Sequence, residues 1–239
     1  MSGDTGMIAP FNALRAAGVH AAEIAAPPYD VVTTEEARAR ADGKPRNFLH
    51  VSRAEIDFPA GADSHTPEIY DRAAQNLRNL IDDGAMLRSP APCYFVYRMR
   101  MTGHSQTGLA CGASLAAYAD RTIRRHELTR PDKEDDRVAH MAALNAQTGP
   151  VLCAHRPHAG LTAILNEITR REAAPEIDVK GEDGVRHTLW AVDGGDTLGA
   201  IQSAADELEA LYIADGHHRS AAAARVAEMR GETGRGEEA

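Results

Sequence analysis

Leu211-Tyr212-Ile213-Ala214-Asp215-Gly216-His217-His218-Arg219-Ser220-Ala221-Ala222-Ala223 runs from an apolar segment through one glycine into an alanine-rich segment. The first part predicts a strand over 210–214, the glycine a turn, and the remainder a helix over about 220–230. A strand that turns at once into a helix leaves backbone amides free at the helix start, and such amides favour an anion. Gly216 lets the backbone approach a ligand closely. His217, His218 and Arg219 add donors and positive charge, and an arginine grips phosphate through two parallel bonds. The stretch therefore reads as a phosphate or nucleotide site, against the plainer alternative of a capped helix with two surface imidazoles.

The same alternation extends upstream. Strands are expected over 150–155 and 187–192, the latter holding the lone Trp190 as a core residue, with helices over 161–170 and 197–208. Residues 93–102 and 106–115 form a predicted hairpin about Gly103-His104. Further back, Thr66-Pro67 opens a helix over 67–83 whose apolar positions recur at helical spacing, and Gly84 ends it. Thr33-Thr34-Glu35-Glu36 starts another helix that stops near Gly43. The first ten residues read as loose, and 231–239 as a disordered end or a surface loop. The fold class is α/β (α+β), a mixed sheet flanked by helices. It reads as one domain over 1–239, with a helical or extended part at 1–90 and a mixed-sheet part at 91–239.

The chain carries 26 Lys+Arg against 35 Asp+Glu, a net charge of −9, which argues against a general nucleic-acid coat or a basic membrane-surface protein. Hydrophobic residues at 43% suffice for a core, and no apolar run is long enough to span a bilayer. No signal peptide is visible. The three cysteines, Cys93, Cys111 and Cys153, lie in apolar runs outside any CxxC pair, so they read as small buried hydrophobes of a cytoplasmic protein.

A second polar constellation is Arg124-Arg125-His126-Glu127-Leu128-Thr129-Arg130-Pro131-Asp132-Lys133-Glu134-Asp135-Asp136-Arg137. Charges clustered about a proline read as a loop entering a helix over 137–145. His126 or Glu127 is a candidate general base, Arg130, Lys133 and Arg137 are candidate phosphate donors, and Glu134, Asp135 and Asp136 are candidate carboxylates for Mg²⁺. The alternative is a solvated, ion-paired loop. Pro27-Pro28-Tyr29-Asp30-Val31 is a rigid turn that either presents Tyr29 and Asp30 to a pocket or packs as a corner. His50, in the apolar alternation Phe48-Leu49-His50-Val51, reads as a core histidine. HExxH, Gly-x-Ser-x-Gly, Walker A and GxGxxG motifs are all absent, which removes the usual support for zincin, serine hydrolase, P-loop and Rossmann readings.

Together, Pro27-Pro28-Tyr29-Asp30-Val31, Phe48-Leu49-His50-Val51, His126-Glu127-x-Thr129-Arg130-Pro131-Asp132-Lys133-Glu134-Asp135-Asp136-Arg137 and Ile213-Ala214-Asp215-Gly216-His217-His218-Arg219 resemble the DUF1015 family of bacterial and archaeal proteins over nearly the whole chain. Members continue well past the His-His-Arg helix, so the resemblance implies a chain incomplete at its C-terminus. The Asp-Gly-His-His-Arg turn is also similar to the nucleotide-binding signature of the ParB/sulfiredoxin superfamily, which implies a core of that kind in the C-terminal half. By that resemblance Gly216, His217, His218 and Arg219 hold phosphates, and Asp215 orients the turn or a metal ion. His217 stands where sulfiredoxin has its reactive cysteine, and no basic recognition helix of the ParB type is evident. The free-serine-kinase-like branch fits best. The resulting expectation is a kinase-like phosphotransferase or a phosphohydrolase acting on a small metabolite. ATP, ADP or CTP would bring Mg²⁺, with His126, Glu127, Arg130 and Lys133 catalytic. The alternatives are a non-catalytic nucleotide-binding module and a DNA-associated CTPase, the latter disfavoured by the negative charge.

Overall fold

A computed structural model describes residues 6–170 and 175–231. The chain begins with two short strands, β1 (Ile8–Ala9) and β2 (Leu14–Ala16), and then four helices, α1 (Ala21–Ile24), α2 (Thr34–Ala41), α3 (Leu49–Ser52) and α4 (Pro67–Asp82). Next come β3 (Met86–Arg88), the hairpin β4 (Tyr94–Met101) and β5 (His104–Ala110), β6 (Gly112–Ala113), α5 (Leu115–Ala119) and β7 (Ile123–Arg124). The remainder is α6 (Pro131–Leu144), β8 (Leu152–Ala154), α7 (Ala159–Arg170), β9 (Ile177–Lys180), β10 (Arg186–Val192), α8 (Gly195–Asp206), β11 (Leu211–Asp215) and α9 (His217–Met229).

The mixed α/β class holds, but the strands form four small sheets in place of one. The largest is antiparallel, ordered β5-β4-β10-β9, and a second is ordered β7-β11-β8. The second is the mixed sheet, with β11 parallel to β7 and antiparallel to β8. Two-stranded pairs β1-β6 and β2-β3 complete the set. One core joins the two larger sheets. Tyr94 and Val96 of β4, Trp190 and Val192 of β10, and Leu211 and Ile213 of β11 pack with Leu161 and Leu165 of α7 and Ile201 of α8. Trp190 is core as expected, with the Arg98 guanidinium 4.7 Å from its ring centre. A separate core gathers the apolar stripe of α4, namely Ile69, Ala73, Leu77 and Leu80, with Val51 of α3 and Leu144 of α6. Val138 of α6 meanwhile packs on Ala222 and Val226 of α9. Helix α6 thus bridges the N-terminal helices to the β11-α9 unit.

Local rules explain most boundaries. Thr33 caps α2 in a reciprocal capping box with Glu36. Gly103, at φ 75°, turns the hairpin, and Gly84, at φ 70°, follows α4. Several expectations need correction. Of the first ten residues, expected to be loose, 1–5 lie outside the described residues, and Ile8 is buried and pairs with Ala113. Thr66 precedes α4 without a side-chain cap bond, and Pro67 stands at the first helical position. His50 lies on the short helix α3, not in an alternating strand, and its Nδ1 sits 2.6 Å from Asp57 Oδ1. Strand β8 is an edge strand with Leu152 exposed, not a buried one. Helix α6 begins at Pro131, six residues earlier than expected, because proline suits the first helical position and Asp132 and Glu134 complement the helix dipole there. Of the tail expectation over 231–239, positions 232–239 lie outside the described residues. Cys93 is buried, Cys111 and Cys153 partly so, and all three are free thiols. Burial pushes the Cys111 thiol up to about 12. Among the described residues no helix is long and apolar enough to cross a membrane.

His140 of α6 is buried and its Nε2 donates to the Val51 carbonyl at 3.0 Å. Burial, and then the Arg137 charge, push its pKa down from 6.5 to about 4. The unfolded chain therefore takes up this proton first. The contribution to stability is complete above the unfolded value and declines as pH falls through the window down to the folded value. Urea unfolding should show the wild type losing roughly 2 kcal/mol between about pH 7 and about pH 5 through this group, with that loss missing in His140→Gln.

Candidate functional site

Strands β7 and β11 run parallel, with Ile123 beside Leu211 and Arg124 beside Tyr212. Strand β7 ends at Arg124, level with Tyr212, and β11 runs three residues further to Asp215, on the carboxyl side where open α/β sheets bind ligands. From β11 the chain passes through Gly216 at φ 98° and enters α9 directly at His217. A Cβ at 216 would stand 3.2 Å from Val151 Cγ2 and 3.3 Å from Arg219 Cζ, so the position requires glycine for both its conformation and its space. The helix starts three residues earlier than the alanine run suggests, which puts His217, His218 and Arg219 in its first turn. No side chain caps this end, leaving its first amides without helical acceptors.

The three side chains have different settings. Arg219 is buried, pairs with Asp215 at 2.6 Å, donates to the Pro150 carbonyl and lies 4.0 Å from Asp30. Its guanidinium holds the turn together. His217 is also buried, and its Nε2 has no hydrogen-bond partner. Burial and the neighbouring His126 push its imidazole below the ordinary histidine value. His218 Nε2 accepts from the Arg130 amide at 3.1 Å.

The 126–137 segment folds against this turn. The His126 ring meets the His217 ring edge-on, 4.5 Å between centres, and Glu127 Oε2 is 3.7 Å from His217 Nδ1. Both His126 and Glu127 are exposed. Arg130 pairs with Asp132 at 2.9 Å on the surface, and Lys133 is exposed on the first turn of α6. The acidic run beyond is structural. Arg225 of α9 binds Glu134 at 2.9 Å and Asp135 at 2.8 Å, and the Thr129 hydroxyl donates to Glu134 at 2.6 Å. Asp136 takes hydrogen bonds from Tyr70 at 2.9 Å and from Arg137. The candidate Mg²⁺ carboxylates Glu134, Asp135 and Asp136 thus each accept from an arginine, and Glu134 and Asp136 also from a hydroxyl. Arg137, a candidate phosphate donor, is buried, with its guanidinium 4.0 Å from the Tyr29 ring centre and paired with Asp136. Tyr29 and Asp30 do reach the site, from a turn whose Tyr29 carbonyl accepts from Arg53 at 2.9 Å.

A cleft of about 450 Å³ opens beside His126 and Glu127, lined also by Arg121, Arg124, Arg125 and Leu128. Its arginines escaped the sequence reading. The cue was an Arg-Arg pair at the end of a strand with no acid in step with it.

The geometry thus brings together all the polar motifs singled out in the sequence except His50. The family model for "Protein of unknown function (DUF1015)" matches residues 8–239. The chain belongs to the DUF1015 family. Comparison with curated proteins and with solved structures gives no match. The shared turn of this DUF1015 chain depends on its glycine. Gly216→Ala should lower stability by about 1–3 kcal/mol in thermal unfolding, through left-handed strain and the contact with Val151.

Proposed function

We propose that the site binds the phosphates of a nucleotide and transfers or hydrolyses a phosphoryl group on a small metabolite in the cytoplasm. The observation that carries the reading is the packing of the 126–130 segment on the 215–219 turn, with His126 and His217 4.5 Å apart. The uncapped amides of α9 supply donors for a phosphate, and the His217 imidazole lies beside them. His126 or Glu127, both solvent-facing, acts as general base, while Arg130, whose amide donates to His218, and Lys133 on the first turn of α6 stabilise charge on the transferred group. Arg219 serves as a positioning residue for the turn, and Asp215 anchors it. The resemblance of this turn to the ParB/sulfiredoxin signature supports a free-serine-kinase-like reaction. Mg²⁺ would be carried in by the nucleotide phosphates.

A second reading, a nucleotide-binding module without turnover, is favoured by the 60% and 62% exposure of the His126 and Glu127 side chains, since a working base is commonly shielded from bulk water. Titration calorimetry with ATP, ADP and CTP in Mg²⁺ tests the main reading. Wild type should bind at least one of them, and Glu127→Gln should retain binding while lowering turnover by about 10²–10⁴-fold. Absence of binding to all three ends the proposal, whereas binding without product across a panel of metabolite acceptors selects the second reading.

A further inference from the structure

The cleft beside His126 holds three arginines, Arg121, Arg124 and Arg125, and among the described residues none of them pairs with a carboxylate. In a chain of net charge −9 such a concentration of unneutralised positive charge is out of keeping with the rest of the surface. Two of the guanidiniums are held in place. Arg124 lies 5.3 Å from the Tyr212 ring centre and donates to its hydroxyl at 3.3 Å, and Arg125 lies 5.2 Å from the Tyr118 ring centre and donates to its hydroxyl at 3.2 Å. Ordering them on tyrosines removes part of the entropic cost of binding. Arg121 sits at φ 70°, an uncommon backbone setting for a residue other than glycine.

The cleft meets the turn through His126 and Glu127, both of which contact His217. His126 lines the cleft, and its ring abuts His217, whose buried Nε2 lacks a partner. In the parallel register Arg124 lies beside Tyr212, three residues before the end of β11, so the arginines extend back along β7 from His126. At about 450 Å³ the space lies in the range of small-ligand pockets. We infer that the arginine cleft is the second arm of an anion site whose first arm is the α9 N-terminus, so that the ligand is an extended polyanion of the di- or triphosphate class. The inference rests on the phosphate-binding reading of the turn and adds the direction in which the phosphate chain runs, from His217 past His126 to Arg124 and Arg125.

Orthophosphate and tripolyphosphate, titrated separately into the full chain by calorimetry without metal, test it. Tripolyphosphate should bind at least about tenfold more tightly than orthophosphate, and Arg124→Gln/Arg125→Gln should remove that preference while leaving orthophosphate affinity within about twofold. The double variant also loses two tyrosine contacts. Arg121→Gln, at a side chain that makes no hydrogen bond or ion pair among the described residues, guards against misfolding and should weaken tripolyphosphate alone by about threefold or more. Equal affinity of the wild type for both probes, or an unchanged preference in the variants, overturns the cleft and leaves the turn standing. Failure of the wild type to bind either probe removes the phosphate reading and this inference together.

Discussion

The buried guanidinium of Arg219 is the constraint on which the site's geometry rests. A cation withdrawn from water must be compensated by charge and by hydrogen bonds, or it costs several kcal/mol. Here the compensation comes from Asp215 at the end of β11, the Pro150 carbonyl ahead of β8, and Asp30 in the turn after the double proline. Three segments distant in sequence are drawn to one planar group. Small residues make room for it. A Cβ at Gly216 would press on Arg219 Cζ, and one at Gly149, itself at φ 77°, would lie 3.6 Å from Arg219 Cδ. The glycines, the arginine and the carboxylates are therefore a single device that sets where α9 begins and which way its free amides face.

A second set of ties works through α6. Apolar contact between Val138 and the small face of α9 brings the two helices together, and Arg225 then bridges to Glu134 and Asp135. Partly exposed ion pairs of this sort add little energy, typically about 0–1 kcal/mol, so their main effect is on register. That register matters, because α6 starts at Pro131 and the residues just before it are the ones laid against His217 and His218. Burial drives the helix pairing, and charge aligns it.

What could be read from the sequence follows from the range of the interactions involved. The α4 helix, the β4-β5 hairpin and the β11-Gly216-α9 unit rest on local periodicity and turn chemistry, and they lie close to where those signals put them. The start of α6 was misplaced because Pro131 carries two meanings. It breaks a helix from within and opens one at the first position, and only the acids at 132 and 134 distinguish these locally. Strand β9 and the pairing of Ile8 with Ala113 were not legible, since short strands depend on partners far along the chain. The approach of Asp30 to Arg219 and of Tyr29 to Arg137 is non-local in the same way. Residue types at those positions marked chemistry, but nothing in their spacing told which charges would be spent on structure.

That distinction decides what the charged stretch is. Over 124–137 five Lys/Arg face five Asp/Glu, so by count the segment is neutral. By position it is not. Asp132, Glu134, Asp135 and Asp136 each find a cation in Arg130, Arg225 or Arg137, on the side that packs on α9 and α4 or along the surface. Glu127 lies beside His217. Among the described residues, what remains without a carboxylate is Arg124, Arg125 and the exposed Lys133, and the first two, joined by Arg121 just upstream, line the cleft. A segment with no net charge has thereby been separated into an acidic, satisfied side and a basic, open one. Focusing of the field by such a cleft raises the local concentration of anions even on a protein whose total charge repels them at long range. The acidic balance of the whole chain and a locally basic cleft are thus compatible, because screening at physiological salt confines each charge's influence to about 8 Å.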